Sequence, residues 1–338
     1  MVNWVHVAKE HLVHRLAKMA GLRRCTVGVD NAGTVMSVWA PKDKLPATAD
    51  AAEATKKEAR REAGRLSVVL IHGFAGDGIF TWVLQVGALA KHYDVYVPDL
   101  LFFGGSTSGD ARRTPAFQAE CVAAALRRLG VERCAAVGFS YGGFVAFGMA
   151  EVVCTGCSLP SMPRSTGEAM LRRLGAASFA ELLLPDDAAG LRSLFAAGAY
   201  RKWSRWFPDF VLKDYLKLMI FNRKERAELL EGIVVSDKDA AAAPSFQQDI
   251  LLLWGENDIV FTMELASKLK EQLGQKASLR SISKAGHLVM LERPRVFSRC
   301  LTEFLQQQQP RSTTTTAAAS EAGRRPTSAR AFEARVIE

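Results

Sequence analysis

Short apolar runs alternate with longer stretches of helical spacing along much of the chain. Leu66-Ser67-Val68-Val69-Leu70-Ile71, Val95-Tyr96-Val97, Cys134-Ala135-Ala136-Val137 and Ile250-Leu251-Leu252-Leu253-Trp254 have strand length and little polar character. Such runs predict buried strands of a parallel sheet. Strand–helix alternation over residues 66–155, resumed over 246–305, predicts an α/β architecture around a mostly parallel central sheet. Ahead of it, Cys25–Val29 and Thr34–Trp39 flank Asp30-Asn31-Ala32-Gly33 and predict a hairpin. Residues 157–245 break the alternation and predict amphipathic helices forming a cap. At the N-terminus Val5, Ala8, Leu12, Leu16 and Met19 recur at helical spacing, with Lys9, His14, Arg15 and Lys18 on other faces. This stripe predicts a helix within 2–20 that packs on the body or lies in a membrane interface with Trp4 as anchor.

These patterns divide the chain into an amphipathic segment 1–24, a first core part 25–156, the cap 157–245, a second core part 246–305 and a tail 306–338. Residues 41–65, rich in Ala, Lys and Glu, read as a flexible insertion within the first core part. The tail carries Gln306-Gln307-Gln308-Gln309 and Thr313-Thr314-Thr315-Thr316, a low-complexity composition expected to stay disordered. One link is short. Met149-Ala150-Glu151 runs straight into Val152-Val153-Cys154-Thr155, which reads as the next strand. A helix–strand return needs a loop and a helix long enough to travel back along the sheet. The expectation is a shortened helix with a late strand, a lost strand, or a segment missing from the gene model.

Composition narrows the class. The chain has 338 residues, 49% hydrophobic, enough for one large domain with a cap. The net charge of +9 is spread through mixed clusters such as Lys56-Lys57-Glu58-Ala59-Arg60-Arg61 and comes with no nucleic-acid motif. It reads as solubility with some attraction to anionic membranes, and nucleic acid is not an expected partner. No apolar run reaches the length of a membrane span, and the N-terminal stretch is too charged for a signal peptide. A cytoplasmic location, peripheral to a membrane through residues 1–20, is the expectation. The six cysteines are scattered; Cys154-Thr155-Gly156-Cys157 is a single C-x-x-C with no second pair, so no metal site is expected.

Candidate chemistry centres on Gly138-Phe139-Ser140-Tyr141-Gly142-Gly143, set between an apolar strand pattern and an apolar helix pattern. A serine at such a turn stands at the helix N-terminus, and Gly138 and Gly142 let strand and helix pass. Alone, the motif is also consistent with an ordinary glycine-rich turn. A nucleophilic serine requires a base oriented by a carboxylate. His6, His11 and His14 sit in the basic N-terminal segment and His92 follows a helix. His287, on the loop after the Ser278–Ile282 strand pattern, is the candidate base, against the plain alternative of a surface histidine. Asp258, in Gly255-Glu256-Asn257-Asp258 after an apolar strand, is the candidate acid, with Glu256 and Asp249 as alternatives. The strand ending in His72-Gly73-Phe74-Ala75-Gly76-Asp77-Gly78 suits an oxyanion hole, with the Phe74 and Tyr141 amides as donors. A phosphate or dinucleotide loop fits less well, because neither G-x-G-x-x-G nor a P-loop lysine is present.

With these residues the chain resembles the α/β-hydrolase superfamily, and within it the plant monoacylglycerol-lipase-like serine hydrolases. The serine–aspartate–histidine order is that superfamily's. The likeness covers roughly residues 1–40 and 66–305, and includes Val95-Tyr96-Val97-Pro98-Asp99 through Gly104-Gly105-Ser106. It implies the α/β-hydrolase fold with a cap, a catalytic triad Ser140–His287–Asp258, hydrolysis of monoacylglycerol or another acyl ester, and no cofactor. Serine at the elbow argues against an epoxide hydrolase, which would carry aspartate there. A hydrolase-fold receptor that binds a small ligand with little turnover is the competing expectation.

Overall fold

The computed structural model describes residues 2–45, 65–149, 152–155, 161–240, 246–308 and 335–336. Residues 46–64 of the insertion 41–65, the second cysteine of Cys154/Cys157 and most of the tail lie outside them. Helix α1 (Trp4–Ala8) continues through a π-helical segment, Lys9–Val13, into α2 (His14–Met19). The hairpin follows as β1 (Leu22–Gly28) and β2 (Val35–Pro41), antiparallel with Leu22 opposite Pro41. It starts before residue 25, so Leu22–Arg24 belong to the sheet and not to the N-terminal helix.

The core then alternates as the apolar runs predict. It comprises β3 (Ser67–Ile71), α3 (Gly78–Leu89), β4 (Asp94–Pro98), α4 (Pro115–Arg128), β5 (Cys134–Phe139), α5 (Tyr141–Phe147) and β6 (Val152–Thr155). Side-chain caps fix two of the helix starts. Asp77 accepts from the Phe80 N–H ahead of α3, and Thr114 accepts from the Phe117 N–H ahead of α4. The cap supplies α6 (Arg164–Leu174), α7 (Phe179–Leu183), α8 (Ala188–Gly198), α9 (Asp209–Met219) and α10 (Arg223–Glu231). The second core part is β7 (Ile250–Gly255), α11 (Met263–Leu273), β8 (Ala277–Ile282), α12 (Val289–Glu292) and α13 (Pro294–Gln308). Helix α13 runs past residue 305, into the segment read as tail. Beyond it only Arg335–Val336 is described, as the two-residue strand β9 beside β5.

The strand order is β1-β2-β4-β3-β5-β6-β7-β8, parallel from β4 onward. Every residue of β4, β5 and β7 is buried, which is why these strands show no alternation in sequence. The order reverses at β3 and β5, so the loops at the carboxyl ends of these central strands diverge and leave a crevice.

The short link after α5 resolves as a shortened helix and a late strand. Helix α5 has seven residues, and β6 enters opposite Ala136, two residues into β5. It then reaches β7 through Cys154 opposite Leu252. The sheet therefore continues across this point to the strands that carry Asp258 and His287.

The N-terminal helix corrects its predicted face. Val5, Val13, His14 and Ala17 are buried, while Leu12 and Met19 of the apolar stripe are 58% and 73% exposed. The π turn adds a residue to the helical repeat, so a 3.6-residue stripe drawn across it no longer lies on one face. Lys9 reaches the buried carboxylate of Asp77 as an ion pair and the His14 ring lies against Trp39.

Candidate active site

Ser140 occupies the apex between β5 and α5 with φ 54° and ψ −117°. A non-glycine residue at positive φ is strained, and the surroundings hold it there. A Cβ on Gly138 would lie 2.5 Å from the Gly142 carbonyl oxygen, and one on Gly142 would lie 2.6 Å from that of His72. Only hydrogens fit at both places, so strand and helix close tightly and drive the serine outward. Ser140 is half-buried and lines an apolar cavity of about 90 Å³ together with His287, Phe74 and Tyr141.

His287 Nδ1 lies 2.9 Å from Asp258 Oδ2. The other carboxylate oxygen accepts from the amides of Val260 at 2.7 Å and Phe261 at 2.9 Å. Trp254 Nε1 donates to the Phe261 carbonyl at 2.8 Å and pins the same loop. Asp258 is thus held by two backbone donors and keeps one oxygen for the imidazole. Phe139 and Phe261 pack on the His287 ring at 4.8 and 5.7 Å between centroids. The two loops meet at Gly255, where a Cβ would sit 2.6 Å from the Ala285 carbonyl oxygen.

The alternative carboxylates are elsewhere. Glu256 is exposed and accepts from Ser281 Oγ, while Asp249 pairs with Lys276 at the opposite end of β7. His6, His11 and His92 are exposed, and His14 pairs with Glu10. Of the histidines, only His287 shares the cavity with Ser140.

His72 and Gly73 support the loop beside the serine. The His72 ring is buried, takes the Leu100 N–H on Nε2 at 2.9 Å, and donates from Nδ1 to the Gly73 carbonyl at 2.6 Å. That pattern fixes the neutral tautomer, and burial pushes its pKa down to about 4. Phe74 is buried edge-on to Tyr141 and Phe103. Its amide and that of Tyr141 at the start of α5 have no acceptor among the described residues. Donors so placed beside a reacting carbonyl can hold a developing oxyanion.

A scan against family models matches residues 68–299 to the alpha/beta hydrolase family. The chain belongs to the alpha/beta hydrolase family. Epoxide hydrolase 4 of Homo sapiens is 24% identical over 281 residues, covering 73% of this chain and 74% of that one. The uncharacterized hydrolase YugF of Bacillus subtilis (strain 168) is 25% identical over 266 residues, 72% and 91% of the two chains. Among solved structures, a membrane phospholipase A superposes with TM-score 0.66 at 20% identity, covering 90% and 93% of the chains. A thermophilic esterase from Thermogutta terrifontis gives 0.61 at 19% identity, covering 85% and 100%. This hydrolase thus shares its fold with esterases and a phospholipase and is similar in sequence to an epoxide hydrolase.

Sequence reasoning missed the hydrolase's cap contacts to this site. Phe195 of α8 walls the cavity, and Tyr215 of α9 donates to the Ala75 carbonyl at 2.6 Å, 140 residues away in sequence. Nothing local marks these residues, because the cap's helical pattern does not say which face meets the loops. No helix among the described residues is long and apolar enough to cross a membrane.

Proposed function

We propose that this hydrolase cleaves carboxylic esters through Ser140, His287 and Asp258, with monoacylglycerol or a related acyl-lipid ester as substrate. The observation that carries the reading is the Asp258–His287 pair at 2.9 Å in the cavity that Ser140 lines from its strained turn. Asp258 fixes the tautomer with the proton on His287 Nδ1, leaving Nε2 as base. Nε2 takes the Ser140 proton as Oγ attacks the ester carbonyl. The Phe74 and Tyr141 amides receive the oxyanion, and the carbonyl reforms as the alcohol leaves with the proton from Nε2. A water molecule, deprotonated by Nε2, then attacks the acyl-enzyme and releases the acid and free Ser140. Serine as nucleophile separates this chemistry from the epoxide opening named for its human relative. The apolar lining, with Leu194, Phe195 and Ile233, favours a hydrocarbon chain.

A fluorophosphonate probe tests the nucleophile. The wild-type protein becomes labelled and the Ser140→Ala variant does not; equal labelling ends the proposal. A panel of monoacylglycerols then tests the substrate class. Sustained turnover supports an enzyme, and a single turnover with a ligand-induced rise in Tm supports the receptor alternative.

A further inference from the structure

A second apolar cavity of about 450 Å³ adjoins the first and shares Phe139, Phe195, Leu288 and Ala75 with it. It runs outward between the N-terminal helix and the cap, to an edge formed by Trp4, Trp203 and Phe207. Around that edge the chain exposes an unusual amount of aromatic surface. Trp206 is 86% exposed, Trp4 58%, Phe210 55% and Phe207 40%. Arg201, Lys202 and Arg205 are exposed among them. None of the three cations forms an ion pair among the described residues.

This edge is built to stay outward. Arg192 Nη1 donates to the carbonyls of Ser204 and Phe207 at 2.6 and 2.9 Å, and its other nitrogen pairs with Asp209. Glu292 accepts from the amides of Tyr200 and Arg201 and also from Gly286, beside His287. The aromatics therefore stand on a braced backbone whose other end is the loop of the candidate base. Trp4 is fixed to the same cap by its amide, which donates to Asp214 Oδ2 at 2.8 Å.

We propose that the cap edge Tyr200–Phe210, together with Trp4, docks on an anionic lipid surface. Tryptophan and phenylalanine suit the headgroup boundary, and the interleaved arginines and lysine meet lipid phosphates. The cavity beneath then receives a hydrocarbon chain leaving that surface. Charge complementarity and continuity with the Ser140 cavity select lipid over a second copy of this chain. The assignment replaces the N-terminal stripe as the membrane face, since only Trp4 of that helix reaches this edge. It deepens the ester-hydrolase reading by saying where the substrate resides.

Co-sedimentation with vesicles tests it, using a Ser140→Ala background so that binding is read without turnover. The protein should pellet with phosphatidylcholine–phosphatidylglycerol vesicles at low salt and release at high salt. The pairs Trp206→Ser/Phe210→Ser and Arg201→Glu/Lys202→Glu should each weaken binding by about tenfold or more. The control Leu12→Ser/Met19→Ser should stay within about twofold, because neither residue lines the second cavity or its aromatic edge. In the active protein, Trp206→Ser/Phe210→Ser should lose turnover of a vesicle-embedded monoacyl ester but keep that of a soluble short-chain ester. No binding by the parent, unchanged binding by both cap variants, loss only in the control, or a cap variant that turns a dimer into a monomer would each overturn the proposal. Failed hydrolysis with intact binding would sink only the catalytic reading.

Discussion

The hydroxyl of Tyr215, on cap helix α9, donates to the main-chain carbonyl of Ala75 at 2.6 Å, one residue beyond Phe74. The bond ties the cap to the loop of Phe74, which lines the Ser140 cavity. Tyr215→Phe keeps the ring contacts with Phe80 and Phe195 and removes only this donor. It should cost about 1 kcal/mol of stability and lower kcat severalfold, by loosening the Phe74 amide. Denaturant melts and ester kinetics check it. A variant with reduced stability and unchanged kcat would confine Tyr215 to a structural role.

Ser140→Ala and His287→Ala should each lower kcat about 10⁶-fold, and the double variant should be little worse, because the groups act as a unit. Asp258→Asn should lose less, about 10⁴-fold, since it misorients the imidazole without removing it. Steady-state ester kinetics, with circular dichroism to confirm folding, read all four proteins.

Gly142→Ala sets a methyl against the Ile71 and His72 carbonyls, which are backbone and cannot swing away. It should destabilise by about 1–3 kcal/mol and push the elbow off its geometry. The expected result is a lowered Tm together with weak fluorophosphonate labelling. Normal labelling at a lowered Tm would show that the turn absorbs the methyl elsewhere.

Acid dependence has two opposing sources next to the site. His72, with its pKa lowered by burial to about 4, stays neutral in the folded chain but protonates at 6.5 when unfolded. The unfolded state binds more protons between those values, so this group's contribution is lost as pH falls from 6.5 to 4. Asp99 is raised to about 6 by burial and the nearby Asp77 carboxylate, so its contribution grows as pH falls through 6. Replacing His72 by Asn removes the first effect alone. The destabilisation caused by His72→Asn should therefore shrink by about 3 kcal/mol between pH 7 and pH 4. Urea melts at the two pH values measure it, and a constant difference would mean that His72 is not held neutral.

The short return after α5 makes a further prediction. Because β6 enters two residues late on β5, a spacer of about four residues after Glu151 should let the strand start earlier. Tm should rise by a few degrees, with ester turnover at least retained. Equal Tm values would mean that the shortened helix costs nothing.

Much of the fold is legible in local sequence because its signals are local. Four buried strands announce themselves as apolar runs, and the β5–α5 turn as a serine between Gly138 and Gly142. Asp258 and His287 are nominated by their places on loops after strand patterns, with the serine–aspartate–histidine order in agreement. What the sequence could not decide was set by contacts distant along the chain. Whether β6 survives a clipped connection depends on β5 and β7 offering it a ladder. Which face of the N-terminal helix is buried turned on one π turn, whose extra residue breaks the 3.6-residue repeat. The cap's aromatics read alike in sequence, yet Trp203 packs on Phe195 while Trp206 faces solvent, three residues along one braced segment. Periodicity encodes which residues can be buried together within an element; only the packing of elements against one another decides which surface is left open.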